Sequence, residues 1–209
     1  MKRMKAYTLF TPSHKELYED YFLKTLPNEF ELHATELFEQ ECPTGRFYEE
    51  GWDKICRRKV ELFVSACEEN MGGSFFYCDV DVQFFGNVVD QLVREVSDFD
   101  IACQDDVTAY CSGVFICKAN QATLAMFKEM KRNYNKEDQA TLNEHLQMCR
   151  HKKLSEVFFT VGHIAPRPWQ GETFRVPKNM LLHHANFVIG VENKKKIMDY
   201  TRENMQSHW

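Results

Sequence analysis

Residues 74–86 read Ser-Phe-Phe-Tyr-Cys-Asp-Val-Asp-Val-Gln-Phe-Phe-Gly, an apolar run interrupted by two acids one residue apart. The preceding Gly72-Gly73 pair is typical of a helix end, so residues 74–78 are predicted to form a buried strand. Side chains alternate along a strand with a period of two, so Asp79 and Asp81 can converge on one small volume at its end. We therefore expect a central strand of an α/β sheet with two carboxylates at its carboxyl end.

The two carboxylates predict a cation site. They repel each other unless a cation lies between them, and hard oxygen ligands favour magnesium, manganese or calcium over zinc. A divalent ion at the carboxyl end of a buried strand is well placed to hold a phosphate-bearing substrate. An isolated Asp-x-Asp is more often a solvated loop or turn, and the apolar run before this one is what favours a metal. Nucleotide or sugar-phosphate chemistry is therefore the first hypothesis.

Composition narrows the class of protein. The chain has 209 residues, 44% of them hydrophobic and 27% charged, which fits one α/β domain over 1–209. A net charge of −5 with scattered basic residues argues against a nucleic-acid partner. The sequence shows no signal peptide and no apolar stretch long enough for a membrane span, so we expect a soluble, cytoplasmic protein. Its eight cysteines are expected to be buried free thiols.

Alternating strands and helices predict a single-domain α/β sandwich whose sheet is mostly parallel in its N-terminal half. The periodicity predicts strands at 5–10, 30–37, 74–78, 98–104, 110–118, 157–161 and 180–188, and helices at 16–26, 51–70, 121–133, 138–152 and 194–204. A loop through residues 42–45 leads into the second helix. The basic cluster at 150–153 is interpreted as a solvated helix end, and Asp105-Asp106 as an acidic turn between two strands.

Polar groups gather at the carboxyl ends of the predicted strands, where open α/β sheets bind ligands. Thr11-Pro12-Ser13 could receive a base and ribose, and Asp79 with Asp81 could receive a metal and a diphosphate. A metal needs more than two carboxylates. His183 and His184, near the end of a late strand, are both candidates for the third protein ligand.

Four segments that follow one another in order carry a more specific signal. They are 75–84 (Phe-Phe-Tyr-Cys-Asp-Val-Asp-Val-Gln-Phe), 111–115 (Cys-Ser-Gly-Val-Phe), 138–143 (Asp-Gln-Ala-Thr-Leu-Asn) and 184–187 (His-Ala-Asn-Phe), the last followed by Gly190 and Lys194. Together they resemble the nucleotide-diphospho-sugar transferases of the GT-A fold, and the resemblance implies a Rossmann-like, mixed central sheet flanked by helices. The resemblance covers roughly 74–195 and extends more faintly to Lys59 and the first strand.

The resemblance implies roles for the metal and diphosphate residues. Asp79 would contact the ribose or the metal, and Asp81 would bind the metal. His184 matches the late histidine that completes the metal shell in such enzymes. Lys194 would face the diphosphate, with Lys195 as its rival.

The resemblance also implies a sugar site. Asp138 and Gln139 match an Asp-Gln pair that lies close to the donor sugar in similar retaining enzymes, although Asp138 alone is equally well explained as a helix N-cap. Ser112 and Gly113 match a donor-binding Asn-Ser-Gly turn, with Cys111 in place of the Asn. The nucleotide-binding half would be about 1–105, and the half that binds the acceptor and completes the metal site about 106–209.

The expected function is therefore a glycosyltransferase that uses Mn²⁺ or Mg²⁺. It would move a sugar from a nucleotide-diphosphate donor, which we expect to be a UDP-sugar, to a hydroxyl of a glycan or glycoprotein. The Asp138-Gln139 match favours a retaining reaction. An inverting reaction would need a carboxylate base, for which Asp105, Asp106 and Glu137 are candidates.

Two other classes of protein share parts of this pattern. Phosphatases of the haloacid dehalogenase type also place Asp-x-Asp after an apolar strand, but theirs closes the first strand and is followed by Thr, whereas Val82 follows here. A non-catalytic module that binds a nucleotide sugar would carry the same ligands as an enzyme. The missing export signal is also compatible with a virus-encoded enzyme or a domain of a longer chain.

Overall fold

The computed structural model describes residues 3–42 and 48–206. Its strands are β1 (Met4–Phe10), β2 (Phe30–Glu36), β3 (Ser74–Cys78), β4 (Val82–Phe84), β5 (Ile101–Asp106), β6 (Ala109–Lys118), β7 (His151–Lys153), β8 (Phe158–Phe159) and β9 (Leu182–His184). Its helices are α1 (Leu23–Thr25), which continues a π-helical segment at Leu17–Phe22, then α2 (Trp52–Glu69), α3 (Val88–Glu95), α4 (Gln121–Arg132), α5 (Asp138–His145) and α6 (Val191–Gln206). From Pro43 onward, the loop predicted at 42–45 lies outside the described residues.

The strands form two sheets. The larger has the order β2-β1-β3-β6-β5-β7, and β6 runs antiparallel to both of its neighbours while the other pairs are parallel. The smaller sheet has the order β4-β9-β8. The carboxyl ends of β1, β3 and β5 and the amino end of β6 therefore meet at one edge of the larger sheet. The predicted α/β class with a mixed central sheet is confirmed.

The core follows from the alternation of side chains along β3. Phe75 and Tyr77 belong to the apolar layer that also contains Phe63 from α2 and Phe127 from α4. Phe76 packs into a second apolar layer on the opposite face, together with residues of the neighbouring strands and of helix α3. Both faces of β3 are buried, which is why this strand reads as a continuous apolar run.

The helix that the sequence predicts at 138–152 is shorter in the structure. It ends at His145, and the basic cluster at its predicted end forms the edge strand β7, parallel to β5. The reason is electrostatic, because Lys152 lies 2.6 Å from Glu95 and Lys153 lies 2.6 Å from Asp105. These lysines are therefore structural partners of acids on neighbouring elements, not a solvated helix end.

The predicted acidic turn is also wrong. Asp105 and Asp106 are the last residues of β5 and pair with Tyr110 and Ala109, so the turn itself is formed by Val107-Thr108. Neighbouring residues of a strand face opposite sides. Asp106 can therefore reach the sheet edge while Asp105 binds Lys153.

Several elements differ from the predicted ones in length, and two elements besides β7 were not predicted. β8 and β9 are shorter than the strands predicted at 157–161 and 180–188. Strand β4 and helix α3 were missed, although Asn87 caps the helix by accepting a hydrogen bond from the backbone N–H of Asp90 at 3.2 Å. An Asn before an amphipathic stretch is a recognisable helix start.

Glu95 on α3 is a buried carboxylate that joins this helix to β7. Lys152 donates to it at 2.6 Å and Gln91 at 2.8 Å, and the Ser155 hydroxyl donates as well. Burial raises the pKa of Glu95, but the hydrogen bonds from Lys152, Ser155 and Gln91 outweigh burial and hold the pKa below its ordinary value of 4.5.

We expect Glu95→Gln to lower the free energy of unfolding at pH 7 by about 1.5–3 kcal/mol, the range for hydrogen bonds to a charged group. A carboxyl whose pKa is depressed by folding stabilises the protein above its unfolded pKa and loses that contribution as the pH falls through the folded pKa. The difference in free energy of unfolding between wild type and variant should therefore become smaller below pH 4.5. Urea unfolding between pH 7 and pH 3 measures it, with exposed Asp98→Asn as control. A difference in free energy of unfolding that stays constant over this pH range would contradict the role given to the ionised Glu95.

Candidate active site

A cleft of about 410 Å³ opens at the sheet edge where β1, β3 and β5 end. Most of the residues that the sequence singled out line it: Thr11, Lys59, Asp79, Asp81, Asp106, Ser112, Gly113, Asp138, Gln139, His184 and Lys194. Pro12 and Ser13 do not line it. The folded chain therefore brings together residues that are up to 183 positions apart, from Thr11 to Lys194.

Asp79, Asp81 and His184 form a cluster of possible metal ligands. Asp79 follows β3 directly, and its backbone N–H donates to Gly113 at 2.8 Å. Asp81 lies just before β4, and the antiparallel pairing of β4 with β9 places His184 opposite Val82. One ligand atom from each of the three side chains lies within 4.8 Å of the other two. The cluster thus arises where the chain passes from the large sheet to the small one.

The structure distinguishes the two adjacent histidines. His184 Nε2 lies 3.4 Å from Asp81 Oδ1. His183 points to the other face of β9, is fully buried and stacks on Phe159 with 5.9 Å between ring centroids. Burial and the neighbouring His184 lower the pKa of His183 to about 3. Of the two candidates, His184 is the one that can serve as a third ligand.

The chemistry of these donors suits a hard divalent cation. Asp81 is only 3% exposed, and Lys194 Nζ lies 2.7 Å from its Oδ2. Burial raises the pKa of Asp81, but Lys194 and His184 outweigh burial and hold it well below its ordinary value, so the carboxylate is ionised. Two carboxylates and an imidazole fit manganese or magnesium. Lys195, the rival of Lys194, instead pairs with Glu16 at 3.0 Å and Glu192 at 2.6 Å.

Lys59 lies between two carboxylates of the cleft, those of Asp79 and Asp138. Its Nζ lies 2.7 Å from Asp138 and 3.1 Å from Asp79. Ser112 also donates to Asp138 at 2.7 Å. Burial raises the pKa of Asp138, and Lys59 more than offsets burial, so the net pKa is lowered. The N-cap interpretation of Asp138 is wrong, because Glu137 occupies the cap position and the Asp138 carboxylate faces Lys59.

Asp106 and Gln139, both predicted as catalytic residues, are in direct contact. Gln139 and Asn186 each donate an amide hydrogen to Asp106 at 2.7 Å. Burial raises the pKa of Asp106, and the Gln139 hydrogen bond only partly offsets it. Glu137 also lines the cleft, whereas Asp105 is paired with Lys153 outside it.

Sequence reasoning assigned no role to two residues that line this cleft. His14 accepts or donates hydrogen bonds with Ser13 at 2.9 Å and Thr11 at 3.2 Å, and burial, together with Lys194, lowers its pKa to about 4. Its position directly after the predicted Thr11-Pro12-Ser13 turn was the available signal. Asn186 lies two residues after His184, within a segment that the sequence had already marked.

Gly113 leaves room for the ligand cluster. A methyl group at this position would lie 2.6 Å from Asp79 Oδ2 and 2.7 Å from His184 Cε1. Such distances are well inside van der Waals contact, so an added methyl would displace one or both of these side chains. Gly113 therefore sets how closely β6 can approach two of the possible ligands.

We expect Gly113→Ala to weaken Mn²⁺-dependent UDP binding at least tenfold, because the added methyl pushes Asp79 and His184 apart. Titration calorimetry with UDP in the presence of Mn²⁺ measures the affinity. The matched control is Gly86→Ala, whose methyl would lie 2.7 Å from Leu181 Cδ2 and outside the cleft. Equal UDP affinities of Gly113→Ala and wild type would show that Gly113 has no such role.

The family of this chain is established by sequence. A family model described as nucleotide-diphospho-sugar transferase matches residues 20–198. The chain belongs to this family of glycosyltransferases. The resemblance seen in the four ordered segments is thereby confirmed, and the match favours sugar transfer over the phosphatase alternative. No curated protein sequence matches the chain.

Solved structures agree on the fold. The chain is similar to the glycosyltransferase GlyE of Streptococcus pneumoniae TIGR4, with a TM-score of 0.59 and 12% identity over 98% of this chain. The apo form of GlyE gives a TM-score of 0.62 at 11% identity over the same share. The chain spans only 60% of the length of GlyE. The chain is also similar to a glycosyltransferase involved in the glycosylation of the major capsid of PBCV-1. The TM-score is 0.59 and the identity 14%, over 94% of this chain and 99% of that one.

None of the helices in the described part of the chain combines the length and the apolarity that a membrane crossing needs.

Proposed function

We propose that this protein transfers a sugar from a nucleotide-diphosphate sugar, expected to be a UDP-sugar, to a hydroxyl of a glycan or glycoprotein. One observation carries the proposal. The possible ligand atoms of Asp79, Asp81 and His184 lie together with Lys194, in the cleft that Asp138 and Gln139 also line. A capsid-glycosylating enzyme among the structural neighbours supports a glycoprotein as one kind of acceptor.

Asp79, Asp81 and His184 would hold a Mn²⁺ or Mg²⁺ ion, which would supply positive charge beside the leaving diphosphate. Lys194, 2.7 Å from Asp81, would contact the same diphosphate and stabilise the negative charge that develops as the glycosidic bond breaks. Thr11 and His14 line the same part of the cleft and would contact the nucleoside. The nucleoside would thus lie mainly against residues of the half at 1–105, while His184 and Lys194 of the half at 106–209 would complete the diphosphate site.

Asp138 and Gln139 would bind the donor sugar. Lys59 and Ser112 hold Asp138 ionised in place, and Asp106 fixes the Gln139 amide. We favour a retaining reaction because the carboxylates of Asp106 and Asp138 are already engaged by amides and a lysine. The raised pKa of Asp106 favours the inverting alternative, in which the Asp106 carboxylate would act as the base. The anomeric configuration of the product, read by NMR, distinguishes the two reactions.

A thermal-shift panel of UDP-, GDP- and TDP-sugars, with and without Mn²⁺, tests the proposal. A ligand at 100 times its Kd stabilises the native state by about 2.7 kcal/mol, which corresponds to a rise in Tm of about 5–10 °C for a chain of this size. We expect this rise for UDP-sugars and only with Mn²⁺. Equal shifts without the metal would contradict the metal site. Tight binding without hydrolysis or transfer, over a panel of acceptors, would indicate a binding module.

A further inference from the structure

The amide of Gln104, the residue before Asp105 in β5, has a single possible orientation. Its Nε2 lies 3.0 Å from the carbonyl oxygen of Phe158 and 3.2 Å from that of Phe159. Backbone carbonyls only accept hydrogen bonds, so the NH₂ group must face them. The Oε1 atom is therefore directed away from β8. Gln104 is 0% exposed, so water does not compete for these positions.

The orientation of Gln104 determines the protonation of His184. Gln104 Oε1 lies 2.6 Å from His184 Nδ1. An amide oxygen only accepts, so Nδ1 must carry the hydrogen that joins the two atoms. Cys111 Sγ is a second neighbour of Nδ1, but at 3.9 Å it is a far weaker acceptor. The ring is thus held as the tautomer protonated at Nδ1.

When the His184 ring is neutral, its other nitrogen, Nε2, carries a lone pair. Nε2 lies 3.4 Å from Asp81 Oδ1, an atom that also only accepts. Two acceptors that face each other repel, unless a cation or a proton lies between them. His184 is arranged as a metal ligand would be, since histidines that bind metals with one nitrogen usually donate the N–H of the other to a fixed partner.

We propose that Gln104 is a positioning residue, which fixes His184 in its Nδ1-protonated tautomer and keeps Nε2 free for the metal ion. The proposal rests on the metal site of the proposed function and adds the part played by β8. The carbonyl groups of Phe158 and Phe159 orient Gln104, and Gln104 orients His184 on the neighbouring strand β9. The small sheet therefore provides both the ligand and the hydrogen-bond chain that sets its tautomer.

Nitrogen-15 NMR of the histidine rings in the metal-free protein at pH 8 tests the tautomer directly. The His184 signals are assigned by their loss in His184→Asn. We expect the Nδ1-protonated pattern in the wild type and a shift toward the Nε2-protonated form in Gln104→Leu. A wild-type ring protonated at Nε2 would overturn the proposal whether or not the variant folds.

Mn²⁺ affinity, measured by electron paramagnetic resonance of the free ion, gives an independent readout. We expect Gln104→Leu to weaken Mn²⁺ binding 10- to 100-fold, the usual cost of removing such a partner. The matched control is Gln83→Leu. Gln83 is equally buried, and its amide atoms have no hydrogen-bond partner among the described residues. This control should bind Mn²⁺ as the wild type does.

The outcomes separate this proposal from the proposed function. Failure of the wild type to bind Mn²⁺ would contradict the proposed function. Wild-type Mn²⁺ binding that is unchanged in a folded Gln104→Leu variant, with the same tautomer, would overturn the role of Gln104 alone.

Discussion

Replacing Asp81 by Ala is expected to abolish Mn²⁺-dependent binding of UDP, with a loss of affinity of at least 100-fold. Asp81 is buried, its pKa is held well below the ordinary value, and its Oδ1 faces His184. It is thus an ionised oxygen donor that already lies beside another possible ligand. Removing it leaves Lys194 without its 2.7 Å partner and the possible metal site with one carboxylate.

Titration calorimetry with UDP, in Mn²⁺ and then in a chelator, measures this loss. Asp100→Ala is the control, because Asp100 is also a buried, hydrogen-bonded carboxylate but does not line the cleft. The control should keep the metal-dependent part of the affinity even if it lowers stability. An Asp81→Ala variant with unchanged Mn²⁺-dependent UDP affinity would refute the site assignment.

Lys59→Met is expected to lower the free energy of unfolding by about 3–5 kcal/mol, the usual cost of breaking a buried ion pair from one side. The Lys59 ammonium lies between Asp138 at 2.7 Å and Asp79 at 3.1 Å. Met fills a similar volume but supplies no charge. Without Lys59, burial of the Asp138 carboxylate is no longer offset, and the pKa of Asp138 should rise above its ordinary value.

Urea unfolding at pH 7 measures the effect. The exposed Lys128, which pairs with Glu68 at 2.8 Å, provides the control, and Lys128→Met should remain close to wild type. Adding Asp138→Asn to Lys59→Met should recover part of the lost stability, because the uncompensated carboxylate is then gone. Equal stabilities of Lys59→Met and wild type, or a double variant less stable than Lys59→Met, would contradict the ion-pair account.

Local patterns were sufficient to predict β3, α2 and the two acids of the ligand cluster. Strand β3 reads as an apolar run because both of its faces are buried. The acids follow it immediately, so their proximity to each other requires no knowledge of the rest of the fold.

The remaining site residues depend on contacts between distant parts of the chain. His184 meets Asp81 only because β9 pairs with β4, and Gln104 on β5 of the large sheet meets His184 on β9 of the small sheet. Periodicity does not report such pairings. The residues alone left His183 and His184 as equal candidates, and the family resemblance is what preferred His184. The overlong helix at 138–152 has the same origin, because the lysines of β7 are fixed by acids on α3 and β5.

The most direct test of the metal-dependent transferase is the release of UDP from UDP-sugars by the wild-type protein, followed in Mn²⁺ and in a chelator. We predict that UDP appears with Mn²⁺, that the chelator stops its release, and that no inorganic phosphate forms from sugar phosphates. UDP release that is unaffected by the chelator, or phosphate release from sugar phosphates without a nucleotide, would contradict the account.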